Sequence, residues 1–252
     1  MQGPSPAPAA AALQAAPMPS FCIALPVYNE AAGIESCIDG IAEFLDNVEA
    51  RTSIIAVDDG SKDGSFELMQ RMQARRPGLI VHRHEKNQGY GAANRTLCRL
   101  AAEHGFDYAI VMDADGTQNP RYISNFFPLM RRGVDFVKAT RYRLGGGVRG
   151  VPWQRYLISR FGNLLARAVM GIPLSDFSNG FRAIRTGKWR QLETVEPRFE
   201  LLIEECYLAR KLGLSFGEIP YVLTVRQAPG SVSKFSYRWD VYFNYLKYVF
   251  KR

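Results

Sequence analysis

The chain has 252 residues, of which 47% are hydrophobic and 12% aromatic, so it can bury a sizeable core and is not an intrinsically disordered protein. Its four cysteines contain no C-x-x-C pair, which argues against a disulfide framework and is typical of free thiols in a reducing cytoplasm. The net charge is +8, but residues 1–120 hold 9 Lys and Arg against 15 Asp and Glu, whereas residues 121–252 hold 23 against 9. This basic second half predicts anionic partners: phosphates, an anionic membrane surface or nucleic acid.

The first 19 residues are rich in alanine and proline and lack the basic region of a signal peptide. We therefore expect residues 1–19 to be a disordered leader. No uninterrupted apolar run approaches the roughly 18 residues that a membrane-spanning helix needs. We expect no such helix in this chain.

Short apolar runs alternate with helical patterns from residue 20 onward. Each of the first four runs is followed by helical spacing of apolar residues or by a helix-start signal. This alternation predicts an α/β fold with a mostly parallel central sheet and helices on both faces. The predicted strands are residues 21–25, 53–57, 79–83, 108–112 and 136–140, and the predicted helices begin near residues 34, 65, 91 and 120.

Four polar loops follow the first four predicted strands. In a parallel sheet the carboxyl ends of the strands lie at one edge, and ligands bind outside that edge. We therefore expect these loops to meet on one rim and to form a binding site. The loops are residues 26–30, 58–64, 86–91 and 113–118.

Two aspartates, Asp113 and Asp115, end the fourth strand and precede a turn at Gly116. Carboxylates on alternate residues can face one cation, and Mg²⁺ or Mn²⁺ prefers oxygen ligands, often shared with substrate phosphates. This pattern predicts a metal–diphosphate site. Since an Asp-x-Asp pattern also arises by chance, the prediction depends on the three companion loops.

The second half of the chain is less regular. Residues 152–170 predict a basic amphipathic helix, with Leu157, Phe161 and Leu164 on its apolar face. A loop at residues 175–182 leads into a further strand. We expect this helix to lie at a membrane interface.

A further helix is predicted at residues 199–212, and the chain ends in an unusually aromatic, amphipathic tail, residues 235–252. Charged residues interrupt the aromatic ones, so the tail is expected to lie on a membrane surface rather than to cross the bilayer. Packing of the tail against the domain is the alternative, and both interpretations stay open here.

Three motifs together resemble the family 2 glycosyltransferases with a GT-A fold. They are Pro-Val-Tyr-Asn-Glu at 26–30, Val-Asp-Asp-Gly-Ser at 57–61 and Asp-Ala-Asp at 113–115. The second half is similar to the dolichyl-phosphate mannose synthase group of polyprenyl-phosphate glycosyltransferases. The segments that carry this second resemblance are residues 139–142, 145–147, 157–168 and 175–185.

The resemblance implies a GT-A domain over residues 20–234, with a nucleotide and metal half at 20–120 and an acceptor half at 121–234. The tail would follow at 235–252. The nucleotide-sugar-binding residues that it implies are Pro26, Tyr28, Asn29, Glu30, Asp58, Asp59, Lys86, Gly91, Asp113 and Ala114.

The resemblance also implies the metal, phosphate and catalytic residues. Asp113 and Asp115 would hold Mg²⁺ or Mn²⁺, with Thr117 or Gln118 completing the metal shell, since the family often has glutamine where this chain has Thr117. The implied phosphate-binding residues are Arg141, Arg226, Ser233 and Lys234, and the implied catalytic residues are Asp115, Arg141 and Glu204.

The function implied is inverting, metal-dependent transfer of a hexose, with mannose from GDP-mannose favoured, to a polyprenyl or dolichyl phosphate. A phosphate monoester has a second pKa of about 6, so such an acceptor is already a nucleophile and needs cations rather than a general base. The basic second half suits this acceptor. The alternatives are a UDP-glucose-dependent polyprenyl-phosphate glucosyltransferase, and transfer to a sugar hydroxyl with Glu204, or else Asp176, as base.

Two other classes are disfavoured. No nucleic-acid-binding motif accompanies the basic residues, so we expect no nucleic acid partner. A nucleotidyltransferase would usually carry a glycine-rich basic loop after the first strand, and residues 26–30 do not form one. We expect a cytoplasmic protein that binds peripherally to the cytoplasmic face of a membrane, either alone or with a separate membrane-anchoring subunit.

Overall fold

The computed structural model describes residues 17–224 and 239–251, and nine strands lie within these ranges. The strands are β1 (Phe21–Val27), β2 (Thr52–Asp58), β3 (Leu79–Arg83), β4 (Tyr108–Val111), β5 (Phe136–Thr140), β6 (Gly147–Val148), β7 (Arg182–Arg185), β8 (Phe216–Pro220) and β9 (Val222–Leu223). Seven of them form one sheet in the order β3-β2-β1-β4-β7-β5-β8, and β6 pairs with β9.

The sheet is mostly parallel, as predicted. Parallel pairs join β1 to β2 and β4, β2 to β3, and β5 to β8. The exception is β7, which is antiparallel to both of its neighbours, β4 and β5. The direction of β7 was not predicted. Because of it, the loop that enters β7 lies at the same edge as the ends of β4 and β5.

Helices cover both faces of the sheet. They are α1 (Ile34–Leu45), α2 (Ser65–Gln73), α3 (Tyr90–Glu103), α4 (Phe127–Arg131), α5 (Trp153–Met170), α6 (Thr186–Trp189), α7 (Leu201–Lys211) and α8 (Trp239–Val249). Within the described ranges, no helix is long and apolar enough to span a bilayer.

The single helix expected over residues 120–132 is divided in the structure. A 3₁₀ helix, Pro120–Phe126, precedes α4. Pro128 lies in the first turn of α4, where its missing N–H is tolerated, whereas a continuous α-helix would need that N–H as a donor. The proline therefore starts a new helix.

Side chains of β1 alternate between two apolar cores. Ile23 and Leu25 face the core that contains residues of α1 and α2, whereas Cys22 and Ala24 face the core that contains residues of α3 and α7. Successive side chains of a strand point to opposite faces, so a strand buried on both faces reads as a continuous apolar run. This explains why the sequence predicts the central strands well.

Candidate active site

A cavity of about 1080 Å³ opens at the sheet edge where β1, β2, β4 and β5 end. It extends from the loop after β1 to side chains of α5, α7 and α8. Ten of the residues predicted for the site line it: Pro26, Tyr28, Glu30, Asp59, Asp113, Ala114, Asp115, Thr117, Gln118 and Arg141.

The other predicted residues are placed differently. Arg226, Ser233 and Lys234 lie outside the described residues, so their phosphate-binding role stays a prediction. The predicted residues that do not line the cavity are Asn29, Asp58, Lys86, Gly91 and Glu204.

The loop after β4 fixes both aspartates of the predicted metal site. The Gln118 amide donates to Asp113 Oδ2 at 2.7 Å and accepts from Asp113 N at 3.0 Å. The Thr117 hydroxyl donates to Asp115 Oδ1 at 2.6 Å, and Thr117 N donates to the same oxygen at 3.0 Å. Each carboxylate is thus oriented by a polar neighbour of its own loop.

This donor set fits Mg²⁺ or Mn²⁺. Asp113, Asp115, Thr117 and Gln118 offer only oxygen ligands, which hard divalent cations prefer. Among residues 17–224 and 239–251, no group of three or more His, Cys, Asp and Glu could hold a metal ion. The two carboxylates would therefore share the ion with other oxygens, as is usual for Mg²⁺ bound together with substrate phosphates.

Gly180 lies directly against the metal side of the cavity. A Cβ atom at this position would lie 3.0 Å from the Tyr90 hydroxyl and 3.1 Å from both carboxylate oxygens of Asp113. Such a contact is tighter than van der Waals packing allows without movement of the neighbours. Gly180 therefore lets the loop before β7 approach Asp113 and Tyr90.

The two aspartates at the carboxyl end of β2, Asp58 and Asp59, make different contacts. Asp59 accepts from Gln88 N at 2.9 Å and from Gly89 N at 2.8 Å, and its Oδ1 lies 2.7 Å from His84 Nδ1. These contacts hold the loop that leads into α3. Asp58 Oδ2 accepts from Ser61 N at 3.2 Å, but Asp58 Oδ1 is buried with no hydrogen-bond partner among the described residues.

Asn29 and Gly91 connect loops of the site. Asn29 Oδ1 accepts from Lys62 N at 2.9 Å, which ties the loop after β1 to the loop after β2. Gly91 N donates to Pro197 O at 2.8 Å, and a Cβ at Gly91 would collide with Glu196 O. These two residues shape the rim without lining the cavity.

Arg141 follows β5 and is held rigidly. Its Nε donates to Asp176 Oδ2 at 2.7 Å, and its Nη2 donates to Asp176 Oδ1 at 2.8 Å and to Ser178 Oγ at 2.9 Å. Burial disfavours the charged guanidinium, but the ion pair with Asp176 outweighs burial and raises the pKa of Arg141 above its usual value. Arg141 is therefore a fixed cation in the cavity, of the kind that binds phosphate well.

The two carboxylates considered as a general base are both engaged outside the cavity. Asp176 is fully buried beneath Arg141. Glu204 accepts from Val195 N at 3.0 Å and from Glu196 N at 2.9 Å, and its Oε1 lies 3.1 Å from Tyr248 OH. Glu200 lines the cavity instead, and Glu204 lies one helical turn further along α7.

The comparisons with known proteins bear on this geometry. The sequence profile described as Glycosyl transferase family 2 matches residues 22–192, more than half of the chain. The chain belongs to this family. It is a glycosyltransferase.

Two curated relatives of this glycosyltransferase carry related names. The polyprenol monophosphomannose synthase of Mycolicibacterium smegmatis is 29% identical over 219 residues, which cover 85% of this chain and 80% of the relative. The undecaprenyl-phosphate mannosyltransferase of Micrococcus luteus is 30% identical over 207 residues, which cover 81% of this chain and 83% of the relative.

Solved structures confirm the GT-A fold. The glucosyl-3-phosphoglycerate synthase of Mycobacterium tuberculosis in complex with Mn²⁺, UDP and glucosyl-3-phosphoglycerate has a TM-score of 0.61 to this chain at 23% identity. The match covers 92% of this chain and 80% of that structure. The UDP complex of the same enzyme gives a TM-score of 0.62 at 21% identity, covering 99% and 86%.

In this glycosyltransferase the amphipathic helix, α5, points its apolar face into solvent. Phe161 is 70% exposed, and Leu157 and Leu164 are at least half exposed. The buried residues of α5 are Asn163, Ala166 and Met170. The helix was predicted correctly, and the outward direction of its apolar face is what an interfacial helix requires.

The buried side of α5 contacts the cavity through polar residues that the sequence analysis missed. Asn163 Nδ2 donates to Ser178 Oγ at 3.1 Å, and Tyr142 OH donates to Ser159 Oγ at 2.7 Å. Ser178 is also bonded to Arg141. Ser159 and Asn163 are four residues apart on the face opposite the apolar one, a spacing that could have identified them.

The described part of the tail, α8, packs on the domain with one face and exposes another. Tyr248 and Val249 are buried, and Tyr248 OH donates to Glu196 Oε1 at 2.8 Å. Phe243 and Phe250 are exposed. Packing on the domain is therefore part of the role of the tail, and Tyr245 of α8 lines the cavity.

Proposed function

We propose that this glycosyltransferase moves a hexose from a nucleotide sugar to the phosphate of a polyprenyl or dolichyl phosphate, with inversion at the anomeric carbon. Mannose is the favoured hexose because two curated relatives are named for mannosyl transfer to polyprenyl phosphates. GDP-mannose is the favoured donor from the resemblance to mannose synthases, and UDP-glucose is the alternative.

On the donor side, Asp113 and Asp115 would hold Mg²⁺ or Mn²⁺, which would neutralise charge on the departing nucleoside diphosphate. Asp58 does not line the cavity, but it directly precedes Asp59, which does, and its unpartnered Oδ1 supports the proposed role in nucleoside binding. An ionised carboxylate only accepts hydrogen bonds, so it suits an N–H group of the base or a ribose hydroxyl. Tyr28 and Glu30, in the loop after β1, also line the cavity.

On the acceptor side, one observation carries the proposal: Arg141, gripped by the buried Asp176, lines the same cavity as the two metal-side aspartates. A lipid phosphate bound by Arg141 is already ionised and can attack without a general base. The engagement of Asp176 and Glu204 elsewhere agrees with this requirement. Arg226, Ser233 and Lys234 are proposed as further phosphate ligands from the resemblance.

The acceptor is a lipid, so the cavity has to meet a membrane. We infer that α5 makes this contact at the cytoplasmic face, with Phe161 and its apolar neighbours in the lipid and the arginines of the helix near anionic headgroups. No observation supports a separate anchoring subunit, and the proposal does not include one.

A hydroxyl acceptor is the second candidate, because Glu200 gives the cavity a buried carboxylate with one unpartnered oxygen. Such a group could act as a general base. A Glu204→Gln substitution would report on the loop at residues 195–196, whose backbone N–H groups Glu204 accepts from. Glu200→Gln is the appropriate variant.

The proposal is tested by incubating the protein with polyprenyl phosphate, Mn²⁺ and a panel of nucleotide sugars, and by measuring which sugar becomes lipid-linked. We expect transfer of mannose from GDP-mannose and loss of transfer when EDTA is added. Asp39→Asn, on the exposed face of α1, is the control for Asp113→Asn. No transfer from any donor would overturn the proposal.

A further inference from the structure

Three residues that line the cavity, Tyr90, Glu200 and Tyr245, each carry a buried polar atom with no hydrogen-bond partner among the described residues, and the last two are close in the fold through α8. Glu200, only 4% exposed, precedes α7, and its Oε1 accepts from Asn244 Nδ2 at 3.3 Å. Its Oε2 has no hydrogen-bond partner among the described residues, and the hydroxyl of Tyr245 also has none there. Both residues line the cavity.

Buried polar groups in folded proteins are nearly always hydrogen-bonded, so each exception calls for an explanation. A carboxylate loses its hydration on burial and is stabilised only when donors replace the lost water. Here the unpartnered atoms belong to residues that line a ligand cavity. A bound ligand is therefore the natural source of the missing partners.

The chemistry of the pair limits which part of the ligand it meets. An ionised carboxylate only accepts hydrogen bonds, whereas a phenol can donate one. A buried negative charge repels both the nucleoside diphosphate and a lipid phosphate. The neutral parts of the ligands proposed for this cavity are the nucleoside and the hexose. The nucleoside is assigned above to Asp58, so the hexose remains, and its hydroxyls both donate and accept.

The neighbours of Glu200 place it beside the metal end of the cavity. Phe199, the preceding residue, stacks on Tyr90 with ring centroids 4.7 Å apart and an interplanar angle of 24°. The Tyr90 hydroxyl and the Asp113 carboxylate both contact the space that a Gly180 side chain would fill. Glu200 is therefore the next residue after Phe199, whose ring stacks on Tyr90, and the Tyr90 hydroxyl lies near the predicted metal ligand Asp113.

We propose that Glu200 and Tyr245 bind hydroxyls of the hexose being transferred and determine which hexose the enzyme accepts. The inference rests on the proposed function, because it takes the hexose of a nucleotide sugar as the ligand. It also gives α8 a role in the site: Asn244 positions Glu200, and Tyr245 supplies a second polar group. Glu200 and Tyr245 would determine specificity and would take no part in making or breaking bonds.

A site built to hydrogen-bond a substrate hydroxyl discriminates strongly against an analogue that lacks it, because the buried protein groups are then left unpaired. The decrease in kcat/KM caused by removing the protein group and the decrease caused by removing the hydroxyl should consequently not add. For Glu200→Gln we expect kcat/KM for GDP-mannose to fall by about 30-fold. For the mono-deoxy GDP-mannose that lacks the contacted hydroxyl, the same substitution should change kcat/KM by less than about threefold.

The experiment compares the wild type, Glu200→Gln, Tyr245→Phe and Glu196→Gln. Glu196 accepts hydrogen bonds from Lys247 and Tyr248 of the same helix but does not line the cavity, so its variant controls for weakened packing of α8. Each protein is assayed with GDP-mannose and with its 2-, 3-, 4- and 6-deoxy analogues. Binding of GDP with Mn²⁺ is measured in parallel by calorimetry. If the donor found is UDP-glucose, then UDP-glucose, UDP and deoxy analogues of UDP-glucose replace GDP-mannose, GDP and the deoxy analogues of GDP-mannose.

The inference predicts that Glu200→Gln and Tyr245→Phe each flatten the preference for one hydroxyl and leave the Kd of the nucleoside diphosphate within about twofold, whereas Glu196→Gln changes neither. An equal loss of kcat/KM with every analogue would overturn it and would point to general-base catalysis or to misfolding. If the wild type binds the nucleoside diphosphate but transfers no sugar to a lipid phosphate, the proposed function fails instead.

Discussion

The charged groups on the proposed donor and acceptor sides of the cavity are held in place by different kinds of contact. On the donor side, carboxylates are oriented by nearby backbone N–H groups and short polar side chains, as at Asp59 and Asp115. On the acceptor side, the cation Arg141 is held by the buried carboxylate of Asp176, and Arg182 and Glu205 form a second such ion pair that is fully buried and does not line the cavity. The aspartates proposed for the metal and the arginine proposed for the phosphate, which come from two halves of opposite net charge, therefore line one cavity.

This difference has consequences for robustness. Hydrogen bonds from the backbone persist when a single side chain changes, whereas a buried ion pair leaves an uncompensated charge when one partner is removed. Arg182 and Glu205 are both fully buried, and Glu205 also accepts from Trp189 Nε1 at 3.0 Å. We infer that substitutions on the acceptor side affect folding and activity together, whereas those on the donor side separate them.

The largest effect on activity is expected from the metal-side aspartates. Asp115→Asn should lower kcat/KM for transfer on the order of 1,000-fold, about 4 kcal/mol of transition-state stabilisation, because the charge facing the metal and diphosphate is removed. Kinetics at saturating Mn²⁺ and thermal unfolding would be measured together. Asp39→Asn is the matched control. Full activity in Asp115→Asn would show that Asp115 does not bind the metal.

A smaller loss is expected at Arg141. Arg141→Lys should lower kcat/KM for polyprenyl phosphate by about 100-fold, because lysine cannot reproduce the two-pronged contact with Asp176 and with phosphate. The affinity for the nucleoside diphosphate should stay unchanged, and this separates the acceptor side from the donor side. Equal weakening of both ligands would contradict the division of the cavity.

The interfacial face of α5 can be tested without touching the cavity. Changing Leu157, Phe161 and Leu164 together to serine should weaken binding to vesicles containing anionic lipid by at least about 10-fold, since three apolar side chains would no longer enter the bilayer. Leu212→Ser, at an exposed leucine after α7, is the control. Unchanged sedimentation with vesicles would show that another surface meets the membrane.

The smallest effects should distinguish Thr117 from Gln118. Gln118 is buried and bonds both the backbone and the carboxylate of Asp113, so Gln118→Leu should weaken Mn²⁺ binding by about 10-fold. Thr117→Val should weaken it only about threefold. Electron paramagnetic resonance titration of Mn²⁺ measures both values, and the reverse order would make Thr117 the more important residue of the metal shell.

Much of the fold and part of the site could be predicted from the sequence for a physical reason. Strands buried on both faces are apolar runs, and the ends of parallel strands share an edge, so the metal loop and its companions could be located together. The direction of β7 depends on pairing with strands distant in sequence, which local patterns do not encode. The same limit applies to ion pairs such as Arg141 with Asp176.

Predicted site residues that do not line the cavity are explained by a similar limit. Glu204 and Glu200 lie one turn apart at the start of α7, and a motif alone does not tell which carboxylate reaches the cavity. Gly91 has a place in the motif because it permits close contact with the 196–197 backbone, a requirement of packing rather than of ligand binding. Sequence patterns thus indicate which loops line the cavity better than which of their side chains do so.

The most direct test of the account uses radiolabelled GDP-mannose, Mn²⁺ and two matched acceptors, a polyprenyl phosphate and the same polyprenol without its phosphate. The measurement is the label that partitions into the lipid fraction. The account predicts transfer to the phosphate alone, with loss of transfer in Arg141→Lys and in Asp115→Asn. Equal labelling of the polyprenol, or no lipid-linked label with either acceptor, would contradict it.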